Sequence, residues 1–328
     1  MCLYPRIIKN PKYKENQKNR GVVPPVLDKR TLYVPIGCGN CMECRKQKAR
    51  AWQVRLLEDL KEHKNGKFIT LTFSNESIKE LAEELDGRKG YELDNAIARL
   101  AVRRFTERWR KKHKKAVRHW LITELGHTGT KNVHVHGIIW TNETIDEIRK
   151  QWKYGYIWPR PETTKKNYVS EATVNYIIKY VTKIDIEHKH YKAKILTSKG
   201  IGKNYVTRHD ARKNKYNGEE TNETYRTSTG HKISMPTYWR NKIYTDEERE
   251  QLWIQKLNKE ERWVCGEKID ISKNYEEYWK QVEWYRRINK KLGYGQLEYK
   301  DEEYWNREQY EKELRQILIE TRIKKSIT

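Results

Sequence analysis

The 328-residue chain is strongly basic and poor in apolar residues. It has 69 Lys and Arg against 45 Asp and Glu, a formal net charge of +24, and only 36% hydrophobic residues. So large an excess of positive charge indicates a polyanionic partner, because basic side chains displace the counterions condensed on phosphates. Its 12 Trp and 22 Tyr can build a core and, where exposed, stack on unpaired bases. The sequence has no apolar run near the ~20 residues of a membrane span and no signal-peptide core, so we expect a cytosolic protein with no membrane partner.

Hydrophobic spacing predicts the following elements in chain order. They are a helix over about 43–60, a strand at Phe68–Phe73, two helices of which the second is capped by Asp94, strands at Trp120–Leu125 and Val133–Trp140, a short helix opened by Thr144, a helix from Ser170 to about Ile184, a polar loop over 208–231, and a charged helical region after Tyr244. This order predicts an α+β fold in which helices pack on an antiparallel sheet.

Composition divides the chain into four predicted segments. They are an N-terminal arm with a Cys cluster and a helix (1–60), a core (61–207), a polar loop with a basic and aromatic segment (208–244), and a mostly helical C-terminal region (245–328). Gly200-Ile201-Gly202-Lys203-Asn204 lacks the spacing and the Ser or Thr of a phosphate-binding loop, so the sequence predicts no NTPase motor.

Two histidines, His134 and His136, lie two residues apart in the apolar strand Val133–Trp140. Because strand side chains alternate between faces, both imidazoles point to the same side, with Cα atoms roughly 6–7 Å apart. They can therefore converge on one divalent metal, and Glu124 in the preceding strand is a candidate third ligand, a set suited to Mg²⁺ or Mn²⁺. Gly137 next to them could let a DNA backbone approach. The structural alternative is a half-exposed strand with incidental histidines and a surface glutamate.

A tyrosine-bearing helix follows about 40 residues later. Val174, Ile177, Ile178, Val181 and Ile184 form its apolar stripe. Tyr176 and Tyr180, with Lys179 and Lys183, are predicted to share a solvent-accessible face. A phenol has a pKa near 10, so attack at neutral pH requires a nearby base, cation or metal. The alternative is that these residues only cover a solvated face.

Two further groups of residues are candidates for binding. Arg103, Arg104 and Arg108 lie on the basic face of the helix after Asp94, and Arg240 follows Tyr238 and Trp239, so we predict DNA contacts at these positions. Cys38, Cys41 and Cys44, with Cys2, could form a structural zinc site. The alternatives are reduced thiols without a ligand and an iron–sulfur cluster. We expect Cys265 to be a lone thiol.

These motifs resemble those of the HUH endonuclease superfamily, in the same order. Phe68–Phe73 resembles its first strand motif, His134-Val135-His136 its metal motif, and Tyr176–Lys183 its tyrosine motif. The two tyrosines with interleaved lysines are similar to those of microvirus replication initiators. Three other stretches look like the gokushovirus-type branch: Cys38–Arg45, Gly200-Ile201-Gly202 and Met235-Pro236-Thr237-Tyr238. The resemblance covers about residues 2–244.

The resemblance implies an RRM-like palm and a metal-dependent nickase that starts rolling-circle replication. Tyr180 or Tyr176 would attack the scissile phosphate of single-stranded or supercoiled origin DNA, leaving a 3′-OH and a 5′-phosphotyrosine. The other tyrosine would later help to religate the displaced circle. Implied partners are a host helicase and polymerase, and the implied location is the bacterial host cytoplasm. The alternatives are a plasmid-type or transposon-type nickase, an RNA-binding protein, and a non-catalytic single-stranded DNA-binding or packaging protein.

Overall fold

The computed structural model describes residues 2–85, 87–127, 131–160, 167–185, 187–188 and 191–294. The chain forms two compact units: the central unit, Ala49–His209, and the terminal unit, which combines Met1–Lys48 with Asp210–Thr328. The four segments delimited in the sequence stay a prediction, and the helical character predicted for 295–328 lies outside the described residues. Among the helices described, none is both long and apolar enough to cross a membrane.

The helices and strands are numbered in chain order. They are β1 Arg6–Lys9, β2 Tyr33–Ile36, α1 Met42–Glu62, β3 Gly66–Leu71, α2 Asn75–Glu83, α3 Gly90–His113, β4 Arg118–Leu125, β5 Val133–Trp140, α4 Ile145–Trp152, β6 Ile157–Trp158, α5 Glu171–Thr182, β7 Ile195–Thr197, β8 Thr224–Arg226, β9 Lys232–Ser234, α6 Thr237–Ile243, α7 Asp246–Asn258, β10 Glu261–Val264, β11 Glu267–Asp270 and α8 Glu276–Lys291.

The central unit is built on a five-stranded sheet in the order β6-β3-β5-β4-β7, with every neighbouring pair antiparallel. This confirms the predicted α+β fold with an antiparallel sheet and packed helices. The histidine-bearing strand β5 is the middle strand. Its register places Thr70 and Ile122 on either side of His136, and Glu124 directly opposite His134.

Helices cover both faces of this sheet, as the alternation of its strands requires. On one face, Ile69, Leu71, Val133 and Val135 pack in a core that includes residues of α2, α3 and α4. On the other face, the apolar rows of β4 and β5 pack against α1 and α5; the buried members are Leu56, Leu60, Trp120, Ile122, Ile138, Val174, Ile177 and Val181. His134, His136 and Glu124 belong to this second face, because each lies an even number of residues from one of its core members or opposite one.

Gly137 serves the sheet itself. A Cβ at this position would lie 2.1 Å from the carbonyl oxygen of Trp120 in the neighbouring strand. The close approach of β4 therefore explains the glycine, and the room for a DNA backbone that the sequence suggested is not its structural reason.

Helix caps confirm most of the boundary predictions. The Ser170 hydroxyl accepts from the Thr173 amide in a capping box that opens α5, and Thr144 accepts from the amide of Glu147 at the start of α4. The prediction for α3 was wrong, because this helix begins at Gly90 and has Asp94 in its interior. Asp94 is half-buried there, and burial raises the pKa of its carboxyl.

The terminal unit contains three two-stranded antiparallel hairpins: β1–β2, β8–β9 and β10–β11. The hairpin β8–β9 extends through the segment predicted as a polar loop, and β10–β11 separates α7 from α8 in the region predicted as mostly helical. Leu3, Met42, Ile269, Ile271 and Val282 pack in one core of this unit.

Candidate active site

His136 is held in a defined orientation on β5. Its Nδ1 lies 2.9 Å from the hydroxyl of Thr70 on β3, and its Nε2 lies 2.8 Å from Oε2 of Glu124 on β4. The side chain is only 12% exposed. Thr70 therefore fixes the ring from one side, and Glu124 faces its other nitrogen.

Glu124 is the electrostatic centre of the site. Its second oxygen, Oε1, accepts a hydrogen bond from the ammonium of Lys183, the residue that follows α5. Burial alone would raise the pKa of this carboxyl, but hydrogen bonds from His136 and Lys183 lower it to about 2. Glu124 is therefore ionised at neutral pH.

His134 lies directly opposite Glu124 in the β4–β5 register, and its ring centroid is 6.2 Å from that of His136. Burial lowers the pKa of His134, which favours the neutral imidazole that a metal requires. The ligand atoms of His134, His136 and Glu124 do not all lie within 4.8 Å of one another. The structure thus brings the predicted ligands onto adjacent positions of one face without closing them around a common point.

The two tyrosines of α5 meet the histidine strand. Their hydroxyls are 3.1 Å apart, and the ring of Tyr180 stacks on that of His136 with centroids 4.8 Å apart and planes 3° from parallel. The ammonium of Lys179 lies 3.6 Å from the centroid of the Tyr176 ring, a cation–π contact. The helix therefore delivers both phenols and one lysine to the edge of the histidine site.

The two phenols have unequal surroundings, contrary to the expectation that both share an exposed face. Tyr176 is 46% exposed, whereas Tyr180 is 8% exposed and belongs to the core beneath α5. The hydrogen bond with Tyr180 and the neighbouring Lys179 lower the pKa of Tyr176. Burial raises the pKa of Tyr180. The structure thus distinguishes two residues that the spacing alone makes equivalent.

Thr70 is the site residue that sequence reasoning missed. It occurs in the strand Phe68–Phe73 as one of several β-branched residues that any strand would contain. Only the register of β3 against β5, which places Thr70 opposite His136, reveals its contact.

The arginines predicted to bind DNA are in different environments. Arg108 donates to the carbonyls of Gln151 and Trp152 and holds α3 to the end of α4. Arg103, Arg104 and Arg240 form ion pairs with carboxylates; their partners are Glu107, Glu84 and Glu223. Arg103 has the most exposed side chain of the set, at 73%. DNA binding by these four residues stays a prediction.

The four predicted zinc ligands converge in the terminal unit. Cys2, Cys38, Cys41 and Cys44 place their sulfurs within 4.8 Å of one another, and the thiols are free. The Sγ atoms of Cys2 and Cys41 are 3.9 Å apart and those of Cys38 and Cys44 are 4.0 Å apart. Helix α1 does not prevent this convergence, because it begins at Met42 and carries only Cys44 in its first turn. The cluster could hold a structural metal such as zinc.

Backbone amides also point at the sulfurs. The amides of Tyr4 and Cys38 donate to Cys2 Sγ, and that of Cys41 donates to Cys38 Sγ. Hydrogen bonds within the cluster, chiefly from Cys2, lower the pKa of Cys41 to about 7. Such an environment stabilises the thiolate form that binds metals.

Residues 66–185 match the model of a family of replication-associated proteins, the ORF2 family. The matched segment includes β3 to β6 and α5, and with them the histidines, Glu124 and both tyrosines. No curated protein and no solved structure matches the chain. This part of the chain therefore belongs to the ORF2 family of replication-associated proteins.

Proposed function

We propose that this protein initiates rolling-circle replication by nicking single-stranded origin DNA with a tyrosine and a divalent cation. The family of the central unit is replication-associated, and the finer mechanism follows from one observation. Tyr180 stacks on His136 while its hydroxyl contacts that of Tyr176. A nucleophile pair is thus adjacent to a group of histidine and carboxylate ligands, the arrangement that a metal-assisted attack on phosphate requires.

The residues present fit a hard divalent cation such as Mg²⁺ or Mn²⁺. His136 Nε2 and Glu124 Oε2 lie 2.8 Å apart, and two lone-pair atoms at this distance need a proton or a cation between them. His136, Glu124 and the neutral imidazole of His134 are the residues that would hold the ion. When bound, the cation would polarise the scissile phosphate.

The tyrosine step conserves one phosphoester bond. The phenol oxygen of Tyr176 attacks phosphorus, the bond from phosphorus to the 3′ oxygen breaks, and the phenol proton ends on the departing 3′ oxygen. The products are a 3′-OH and a 5′-phosphotyrosine, so no NTP is consumed. Lys179 and the hydroxyl of Tyr180 stabilise the developing phenolate because both already contact Tyr176.

The two-tyrosine arrangement suits a complete replication cycle. The free 3′-OH would prime a polymerase of the bacterial host, with a host helicase separating the strands. After one round, Tyr180 would cleave the regenerated origin, and transfer of the first ester would close the displaced circle. Supercoiled or single-stranded origin DNA is accordingly the proposed substrate, and the host cytoplasm the proposed location.

We further propose that the four-cysteine cluster holds a structural Zn²⁺. A tetrahedral zinc with Zn–S bonds of about 2.3 Å separates its sulfurs by about 3.8 Å. The separations of 3.9 and 4.0 Å in the structure agree with that value. An iron–sulfur cluster would need sulfurs spread further apart, because its ligands bind different irons.

The nickase proposal is tested by incubating the protein with circular single-stranded DNA carrying candidate origins, with and without Mg²⁺ or Mn²⁺. A denaturing protein gel detects the covalent adduct. We expect an adduct that requires the metal and disappears in the Tyr176→Phe/Tyr180→Phe double variant. If DNA binds but no circle gives an adduct, the protein is a non-catalytic single-stranded DNA-binding protein instead.

A further inference from the structure

Exposed aromatic side chains are concentrated at one edge of the central sheet. In the described part of the central unit, the exposed large hydrophobic residues are all aromatic: Tyr156 at 86%, Trp158 at 55%, Tyr168 at 70% and Tyr176 at 46%. Soluble proteins rarely leave such residues clustered in water unless the cluster binds something. The apolar residues of the same unit are otherwise buried in its two cores.

These side chains share the edge next to β3. Tyr156 and Trp158 belong to the short edge segment that contains β6, with Trp158 directly opposite Thr70. Asn167 donates to the carbonyl of Phe68 and accepts from its amide, and so fixes Tyr168 at the same edge.

Contacts link this edge to the tyrosine pair. The rings of Trp158 and Phe68 meet edge to face with centroids 5.6 Å apart, and Phe68 meets Tyr176 in the same way at 5.8 Å. Trp158, Thr70 and His136 also occupy one row across β6, β3 and β5. At about 4.8 Å between strands, the row spans about 10 Å. That is roughly the length of three stacked nucleotides at about 3.4 Å each.

We infer that Tyr156, Trp158 and Tyr168 form a base-stacking surface, the aromatic edge, that holds unpaired nucleotides beside Tyr176. The inference rests on the proposed function only in taking DNA as the substrate. Aromatic rings stack on any unpaired base, so the aromatic edge supplies affinity without reading sequence. Arg160 is exposed next to the cis-proline that follows Trp158, and its charge suits the adjoining phosphates.

The test measures binding, so it does not depend on knowing the origin or on cleavage. The probe is fluorescent oligo-dT of about 16 nucleotides, without metal, compared with an oligomer of the same length that lacks bases. Because each base stacked on an aromatic ring contributes about fivefold to a hundredfold in affinity, Trp158→Leu and Tyr156→Ala should each weaken oligo-dT binding at least about fivefold. The abasic oligomer should bind both variants as well as it binds the wild type.

Trp284→Ala is the matched control, since Trp284 is 54% exposed and lies in the terminal unit. It should change the affinity less than about twofold. Salt separates stacking from charge: the loss in Trp158→Leu should be the same at about 50 mM and about 200 mM salt, whereas Arg160→Ala should lower the slope of affinity against salt.

Tyr156 is the most exposed of these side chains, so its variant tests the inference even if Trp158→Leu folds poorly. Oligo-dT affinities of both variants equal to that of Trp284→Ala would overturn the inference, as would an equal loss on the abasic oligomer. A protein that forms no adduct but shows the expected losses retains its aromatic edge and refutes the nickase alone.

Discussion

Removing one hydroxyl at a time separates the two tyrosines of α5. The Tyr176→Phe variant leaves only the 8% exposed phenol of Tyr180, and Tyr180→Phe leaves only the 46% exposed phenol of Tyr176. Each change deletes the single hydrogen bond between the phenols and should reduce the free energy of unfolding by about 1 kcal/mol. Both variants should therefore stay folded, which thermal unfolding verifies.

The rates of adduct formation should differ. For Tyr180 to reach a phosphate, its ring must leave the parallel stack on His136, and such stacks stabilise by about 0.5–1.5 kcal/mol beyond the area that they bury. That cost alone slows attack by about twofold to about tenfold. Because burial also raises the pKa of Tyr180, while Lys179 and Tyr180 lower that of Tyr176, we expect the larger value or more.

The assay is a single-turnover time course with excess protein and end-labelled origin strand, stopped in detergent and resolved on a denaturing gel. Tyr180→Phe should form adduct at close to the wild-type rate, and Tyr176→Phe about tenfold more slowly or worse. Equal rates in the two variants, or a faster Tyr176→Phe, would refute the assignment of the first attack to the exposed phenol.

Three other changes test separate parts of the structure. Purified wild-type protein should contain about one zinc per chain; Cys41→Ser should lose it in elemental analysis, and unchanged zinc there would refute the site, while Cys265→Ser should retain it. Gly137→Ala should lower the free energy of unfolding by about 3 kcal/mol, because the added methyl meets the Trp120 carbonyl; a denaturant titration that matches wild type would contradict this. Glu124→Gln should abolish metal-dependent adduct formation while oligo-dT binding stays within about twofold; retained adduct would exclude Glu124 as a ligand.

Much of the fold follows from local pattern. Alternation in Val133–Trp140 predicts a strand with one apolar face, and Ser170 predicts the start of α5 because its hydroxyl can accept from the amide three residues later. The hairpin β10–β11 was missed for the same reason that local patterns usually succeed. Its turn is Cys265-Gly266, with φ values of 50° and 101°, and a cysteine is not a usual residue for such a turn.

The candidate site divides along a similar line. The spacing of His134 and His136 and of Tyr176 and Tyr180 identifies the residues, because residues of one strand or one helix have fixed relative positions. Contacts between elements were not predictable in this way. The closure of Lys183 on Glu124 depends on how α5 packs on β4, which no spacing in the sequence specifies.

The unequal burial of the two tyrosines and the position of the aromatic edge have a common origin in Phe68. Its ring lies between Trp158 and Tyr176 and contacts both, whereas Tyr180 turns to the other side and stacks on His136. One phenol therefore continues the exposed aromatic row, and the other continues the buried side of the histidine site. A strand held along the aromatic edge would meet Tyr176 before Tyr180, so the surface that binds the bases also determines which phenol is presented first.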